Sequence, residues 1–418
     1  MSLTLGAVAD DFTGATDLAG MLAAGGMRTM LVLGEPRPGD AAPDAEAVVV
    51  AMKTRTIPPA EAVAQSLSAW AWLKASGARQ AYFKYCSTFD STEKGNIGPV
   101  AEALWRETGE GPVVFVPSFP ENGRTVYRGH LFVFDQLLSD SGMRNHPLTP
   151  MTDANLVRFL GKQTRLGVGL IRYDTVAKGA AAIRAAAEAL VAGGKPFIVV
   201  DTLADRDLTL IGEAVRDFAL VTGGSGLALG LAPQHGGAGA ATATTLPEIG
   251  GRVMCLSGSS SEATNAQVAA FAAKHPTRRL DPIALAEGRE TAAEAAAWAL
   301  DALGNGPCLV TATARPEEVR AVQAELGMER AARVIEDALA TVARTLAEAG
   351  VRRFVVAGGE TSGAVATALG ISRLRVGPQI APGVPWCASD EAEPVAVALK
   401  SGNFGRETFF EDAIALAP

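Results

Sequence analysis

The sequence predicts an α/β protein of two domains, each a mostly parallel sheet flanked by helices, with the active site in the cleft between them. Two patterns carry this expectation. Continuous β-rich apolar runs alternate with Ala-rich helical segments, as expected of strands buried on both faces. A small-residue, nearly uncharged stretch, "APQHGGAGAATATTLPE" at residues 232–248, divides two halves that each read as complete α/β units. The length of 418 residues also exceeds one ordinary core. The expected domains are therefore 1–232 and 250–418, joined by a linker at 233–249.

The first half opens with "LGAVADDFTGATDLAG" at residues 5–20. Leu5 to Ala9 reads as a buried strand, and Thr16 or Asp17 is expected to cap a helix beginning near Leu18. Asp10 and Asp11 then stand at the carboxyl end of a strand, where open α/β sheets bind ligands. The runs "RTMLVLG", "EAVVVAMKT", "QAYFKYC", "PVVFVPS", "GVGLIRYD" and "PFIVVD" continue the strands. The segments "PAEAVAQSLSAWAWLKASG" and "AAAIRAAAEALVAGG" supply helices between them. Three loops after buried strands carry polar groups suited to a small polyhydroxy acid. One places Arg55 where its planar fork can bind a carboxylate at two points. A second gathers Lys84, Ser87, Thr88, Asp90, Ser91, Thr92 and Lys94, and a third holds Asn122, Gly123 and Arg124. Gly223 to Gly226, in "VTGGSGLALG", reads as a tight turn closing the first domain.

The second half repeats one grammar of strand, Gly/Ser turn and helix. "RVMCLSGS" runs into "SSEATNAQV", "PCLVTAT" follows the helical "ETAAEAAAWALDAL", and "RFVVAGG" runs into "ETSGAVATALG". "ALKSGNFG" adds a third turn, Lys400 to Gly405. Unhindered amides and hydroxyls at a helix amino terminus suit phosphate, because unpaired N–H groups and the helix dipole both favour negative charge. Three such turns in one domain point to a nucleotide. The lysine-bearing P-loop and the G-x-G-x-x-G dinucleotide turn are both absent.

The formal net charge of −8 argues against a nucleic-acid or membrane-surface partner. No apolar run is long enough to span a bilayer, and a cytoplasmic protein is expected. Cys86, Cys255, Cys308 and Cys387 lack metal-ligand spacing and read as reduced thiols. His130, His146, His235 and His275 show no ligand pattern either. Cys86 and Ser87 have no acid–base partner in the sequence that would make either a nucleophile.

The segments "VADDFTGATD", "FKYCSTFDSTEKGNIGPV", "ENGRTVYRGHLFV", "HPLTPMTD", "VTGGSGLA", "AGGETSG", "PGVPW" and "LKSGNFG" resemble the four-carbon acid sugar kinase family, and most closely its 3-oxo-tetronate kinase branch. The matches run from residue 5 to about residue 410. The resemblance implies an amino-terminal sugar-acid domain, a carboxyl-terminal ATP domain and phosphorylation of the 4-hydroxyl of a four-carbon sugar acid in catabolism. It places the family's acidic motif on Asp10 and Asp11, its arginine on Arg55 and its D-S-T element on Asp90, Ser91 and Thr92. Lys84, Asn122 and Arg124 join them as substrate-binding candidates. Nucleotide contacts fall on Ser257, Gly258, Ser259, Gly359, Glu360, Thr361, Ser362 and Gly402. Many members have a lysine two residues before the D-S-T aspartate; here that residue is Thr88, which fits the 3-oxo-tetronate branch and leaves the role of Lys84 open.

Phosphoryl transfer needs the acceptor hydroxyl in line with the γ-phosphate and positive charge or amides around the moving oxygens. A carboxylate that orients and deprotonates the hydroxyl contributes roughly 10²–10⁴-fold. That role is assigned to Asp11 or Asp10, with Asp90 next. The partners expected are ATP with Mg2+, whose protein ligands the sequence leaves open, and a small sugar acid, in a monomer or homodimer. D-threonate and D-erythronate kinases of the same family are the alternatives. A nicotinamide-dependent sugar-acid dehydrogenase lacks its fingerprint here, and a non-catalytic sugar-acid sensor would leave the phosphate-type turns without purpose.

Overall fold

A computed structural model of the chain describes residues 3–37, 39–146, 148–236 and 244–418. The chain divides into two compact units, Met1–Thr244 and Thr245–Pro418. Residues 237–243 of the expected linker lie outside the described residues.

In the first unit the strands are β1 (Leu5–Ala9), β2 (Thr29–Leu33), β3 (Ala47–Ala51), β4 (Gln80–Lys84), β5 (Val113–Val116), β6 (Arg124–Tyr127), β7 (His130–Val133), β8 (Gln136–Leu137), β9 (Val168–Ile171), β10 (Phe197–Val200) and β11 (Leu220–Gly223). The main sheet has the order β2-β3-β1-β4-β11-β5-β10-β9, and every pairing in it is parallel. Its strands are Val/Ile/Leu-rich without alternation because helices cover both faces. β1, β3 and β4 are buried at every residue. An antiparallel ribbon, β6-β7-β8, stands apart from this sheet and is tied to it where Val126 and Thr202 exchange backbone hydrogen bonds of 2.9 and 2.8 Å. This ribbon was not expected from the sequence, for apart from buried Val126 and Leu131 its residues are only partly buried or exposed.

The second unit contains β12 (Val253–Ser257), β13 (Thr277–Arg279), β14 (Cys308–Thr311), β15 (Arg353–Ala357), β16 (Arg373–Ala381), β17 (Val384–Ser389) and β18 (Ala396–Lys400). The order β13-β14-β12-β15-β18 is parallel, and β17 and then β16 extend it antiparallel. Helix starts follow local capping rules: Ser261 caps Glu262–Ala272, and Thr291 with Glu294 forms a capping box on Ala292–Leu303. Each unit has its own apolar core, one around Phe83, Phe115 and Phe197, the other around Phe271, Trp386 and Phe409. All four cysteines are free thiols.

One helix start departs from expectation. The helix after β1 spans Phe12–Ala24, a turn and a half earlier than Leu18, and its cap is Asp11, whose carboxylate accepts the Gly14 N–H at 3.1 Å. Thr16 bonds back to the Phe12 carbonyl at 3.2 Å, and both Thr16 and Asp17 are buried inside the helix. The extended backbone of Asp11 suits an N-cap, and its bond to the Gly14 N–H starts the helix there.

Candidate functional site

In the first unit the chain leaves β1 for β2 and β3 on one side and then crosses to β4 on the other. The carboxyl ends of β1 and β4 therefore flank a topological switch point. Register sets Ala9 opposite both Ala51 and Lys84, so Asp10, Arg55 and Lys84 emerge together. Backbone bonds fix them: Asp10 N–H donates to Lys84 at 3.0 Å, and its carbonyl accepts the amides of Thr54 and Arg55 at 2.9 and 3.2 Å.

Arg55 is the centre of a carboxylate ring. Its Nε and Nη2 donate to the two oxygens of Asp10 at 3.0 and 2.8 Å, and Nη2 also reaches Asp11 Oδ1 at 2.5 Å. Asp90 Oδ2 stands 3.9 Å from Nη1. The fork that the sequence assigned to a substrate carboxylate thus holds Asp10. Asp10 is almost wholly buried at 4% side-chain exposure, whereas Asp11 is 28% exposed. Burial pushes Asp10 above the usual carboxylate range despite Arg55. Burial acts the same way on Asp11, but Arg55, Lys84 and the Gly14 N–H outweigh it and hold Asp11 low.

Lys84 is buried and donates to the Tyr85 carbonyl at 2.9 Å. A β-carbon on Gly14 would lie 2.7 Å from Lys84 Nζ and against Asp11 Oδ1, so the ammonium and the carboxylate converge over the first helical turn. Asp17, read from sequence as a cap, instead turns into the same region: its Oδ2 accepts the Ser225 hydroxyl, and its buried Oδ1 has no partner. Burial raises Asp17 while Lys84 pulls it down. Both residues were in view in the sequence, but not their proximity. An acidic residue three positions after Gly14, on an otherwise apolar helix face, is the signal that could have found it.

The D-S-T element divides. Asp90 Oδ1 accepts from Thr88 at 2.6 Å, beside the Cys86 thiol, which burial and Asp90 push up to about 12 and so keep protonated. Ser91 Oγ and the Thr92 carbonyl both accept from Gln163 Nε2, at 2.9 and 2.5 Å, so this part of the loop is scaffolded. Asn122 ends the 3-10 turn Pro120–Asn122 and Arg124 begins β6 of the ribbon; Arg124 donates to the Asn122 carbonyl and lies 5.4 Å over the Phe134 ring. Among the described residues no hydrogen bond joins this pair to the Arg55 cluster. Asn96, missed by sequence, positions Arg55: its Nδ2 donates to the carbonyls of Thr54, Arg55 and Ile57 at 2.6, 3.2 and 2.9 Å.

In the second unit β12, β15 and β18 are adjacent and parallel, so their carboxyl ends bring the three Gly turns side by side. Gly258 N–H donates to Ala357 at 3.0 Å, and Gly358 N–H to Lys400 at 2.9 Å. Ser261 and Thr264 hydroxyls reach the Gly402 carbonyl at 2.6 and 2.8 Å. Ser257 is wholly buried and shares a 2.5 Å bond with Thr313, so it braces the edge rather than facing solvent. Ser259 is partly exposed beside Gly402. Gly358, at φ +124°, turns the chain into the helix Gly359–Ala368, whose first turns carry exposed Glu360, buried Thr361 and Ser362. Ser362 Oγ, in the first turn of this helix, is buried and has no hydrogen-bond partner in the protein. This edge of hydroxyls and amides fits a nucleotide phosphate chain.

Residues 5–231 match a family model described as a sugar-binding N-terminal domain, and residues 254–410 one described as a nucleotide-binding C-terminal domain. A 3-oxo-tetronate kinase of Burkholderia multivorans is 56% identical over 98% of this chain and 96% of its own. One of Salmonella typhimurium is 47% identical over 98% of both chains. Among solved structures, a Salmonella typhimurium LT2 protein described as a tRNA synthase has a TM-score of 0.90 at 46% identity, over 98% of each chain. A Haemophilus influenzae protein has a TM-score of 0.85 at 43% identity, covering 98% of this chain and 99% of its own.

Proposed function

The chain belongs to the four-carbon acid sugar kinase family, and from that premise we propose that it is a 3-oxo-tetronate 4-kinase, forming 3-oxo-tetronate 4-phosphate and ADP. The observation that carries the substrate is the 56% identity to a 3-oxo-tetronate kinase across 98% of the chain.

The acid is assigned to the carboxyl edge of β1, β3 and β4, and ATP to that of β12, β15 and β18. The substrate's 4-oxygen attacks the γ-phosphorus, the bond to the β-phosphate oxygen breaks, and ADP leaves. Asp11, ionised and the more exposed of the pair, orients the hydroxyl and takes its proton as the new P–O bond forms. Asp10 holds Arg55, and Arg55 in turn holds Asp11 in place. The Lys84 ammonium supplies positive charge beside Asp11. Mg2+ bound with ATP would lessen the negative charge on its phosphates. Among the described residues no group of three or more His, Cys, Asp or Glu could hold a metal. No helix among the described residues is long and apolar enough to cross a membrane. Four free thiols and a need for ATP fit a cytoplasmic enzyme.

The test measures ADP release from ATP with 3-oxo-tetronate, D-threonate and D-erythronate in parallel, alongside NAD(P)H absorbance. Turnover should be highest with 3-oxo-tetronate and silent in the absorbance channel. Preferential turnover of D-threonate or D-erythronate would move the chain to another branch, and reduction of a nicotinamide would overturn the kinase reading.

A further inference from the structure

The carboxyl end of β18 carries a lysine that the reaction above does not use. Lys400 is wholly buried, and its Nζ donates to Thr264 Oγ1 at 2.9 Å and to the carbonyls of Ser401 and Gly402 at 3.0 Å each. Three acceptors match the three donors of an ammonium, and none of the three is charged. The ring of Phe409 stands 5.6 Å from Nζ. A buried cation of this kind is costly without a counter-charge, and burial alone draws Lys400 down to about 7.

The charged groups on the surrounding elements are engaged elsewhere or face solvent. On the helix Phe409–Ala415, Glu411 accepts from His275 at 2.8 Å and lies 3.9 Å from Lys274, and Asp412 pairs with Arg406 at 2.9 Å. Glu262 and Glu360, on the helices after β12 and β15, are exposed. Arg353 lies at the opposite end of β15, in register with Ala396 rather than Lys400.

The direction of the backbone completes the picture. The Ser401 and Gly402 carbonyls both turn inward to Nζ, and the Gly402 carbonyl is bound by Ser261 and Thr264 as well. In a planar trans peptide the N–H points opposite to the C=O, so the amides of Gly402 and Asn403 face the other way. Among the described residues neither amide donates to a protein acceptor. Paired free amides above a buried positive charge make an anion subsite.

We propose that Lys400 is the positioning charge of the nucleotide edge: it turns the Ser401 and Gly402 carbonyls inward, presents the Gly402 and Asn403 amides to a phosphate of ATP, and takes that phosphate as its counter-charge. The inference rests on assigning ATP to the second unit. A nearby phosphate favours the ammonium, so above pH 7 ATP binding should take up a proton. Affinity should then fall by up to about tenfold per pH unit until the bound-state lysine also titrates.

Calorimetric titration of the whole protein with MgATP, at pH 8 in buffers of different ionisation enthalpy, reads this directly. The parent should take up close to one proton, and its affinity should drop between pH 7 and pH 9. Lys400→Met should bind ATP at least about tenfold more weakly, with no proton uptake and no pH slope. Lys400→Arg keeps a charge that does not titrate, so it should lose the proton uptake whatever affinity it retains. Sugar-acid affinity should match the parent in both variants and so report folding. Parental ATP affinity or undiminished proton uptake in folded Lys400→Met overturns the proposal. If neither variant folds, the parent decides, because absence of proton uptake at pH 8 also overturns it. A parent that binds no ATP at any pH would instead sink the kinase reading.

Discussion

Arg55 touches three carboxylates, and its single charge cannot neutralise all of them. Asp10 receives two of its bonds and is buried, which makes it the structural partner; Asp11 receives one, caps a helix and stays partly exposed. Asp11→Asn should therefore lower kcat by roughly 10²-fold or more while changing ATP affinity little, because the amide keeps the volume and removes the basic oxygen. Asp10→Asn leaves a weaker partner for a buried guanidinium, and should cost roughly 1–3 kcal/mol of stability, read as a lower melting temperature. If both folded variants keep the parent kcat at saturating substrates, the base passes to Asp90. Asp17 differs again. Burial raises its carboxyl, and Oδ1 has no partner. A raised carboxyl stabilises the fold below the ordinary carboxylate range, and that contribution is lost as pH rises through its folded value. Asp17→Asn does not titrate, so its melting temperature relative to the parent should improve between pH 4 and pH 8. Scanning calorimetry at both pH values checks this, and a difference that moves the opposite way contradicts it.

At the scale of elements, legibility tracked burial. The parallel strands could be read from sequence because burial on both faces leaves continuous apolar runs, as in "AVVVA" of β3. The three Gly turns were legible because Gly and Ser punctuate the chain where a buried strand ends. The β6–β8 ribbon and β16 were not, since half-buried strands such as "RLRVGPQIA" mix charge and Gly into the pattern, and β17, though buried throughout, is disguised by the Pro in "VPWCAS". Lys400 looked like one more loop lysine, because only the packing of Thr264 and Phe409 reveals its burial. The helix after β1 began early because a local cap outweighed propensity: Phe12, Thr13 and Gly14 form helix poorly, yet Asp11 caps them. Gly14→Ala tests that contact. In an exposed helix the change would stabilise by roughly 1 kcal/mol. Here the new methyl meets Lys84 Nζ and the Asp11 carboxylate, so kcat/KM should fall by about 10²-fold, as expected when reacting groups shift by about 1 Å. An Ala variant with parental kcat/KM and a higher melting temperature would mean that Lys84 and Asp11 need not hold this geometry.

At the scale of the whole molecule, each unit has its own core and its own strand-end site, so each ligand should protect its own unit. A ligand at 100 times its Kd stabilises its binding state by about 2.7 kcal/mol, which slows amide exchange through local opening by at most about 100-fold. Hydrogen exchange with mass spectrometry can locate that effect. 3-Oxo-tetronate without nucleotide should slow exchange around residues 10–14, 54–57 and 84–92. ATP without the acid should slow it around 258–261, 358–362 and 400–405. The backbone supplies a reason at the last of these turns: the Ser401 and Gly402 carbonyls are already held by Ser261, Thr264 and Lys400, so the Gly402 and Asn403 amides are the groups left for phosphate. The reverse pattern would exchange the two ligand assignments. Protection by ATP of Gly402 and Asn403 in the parent, absent in folded Lys400→Met, would tie the nucleotide edge to a lysine that never reaches solvent.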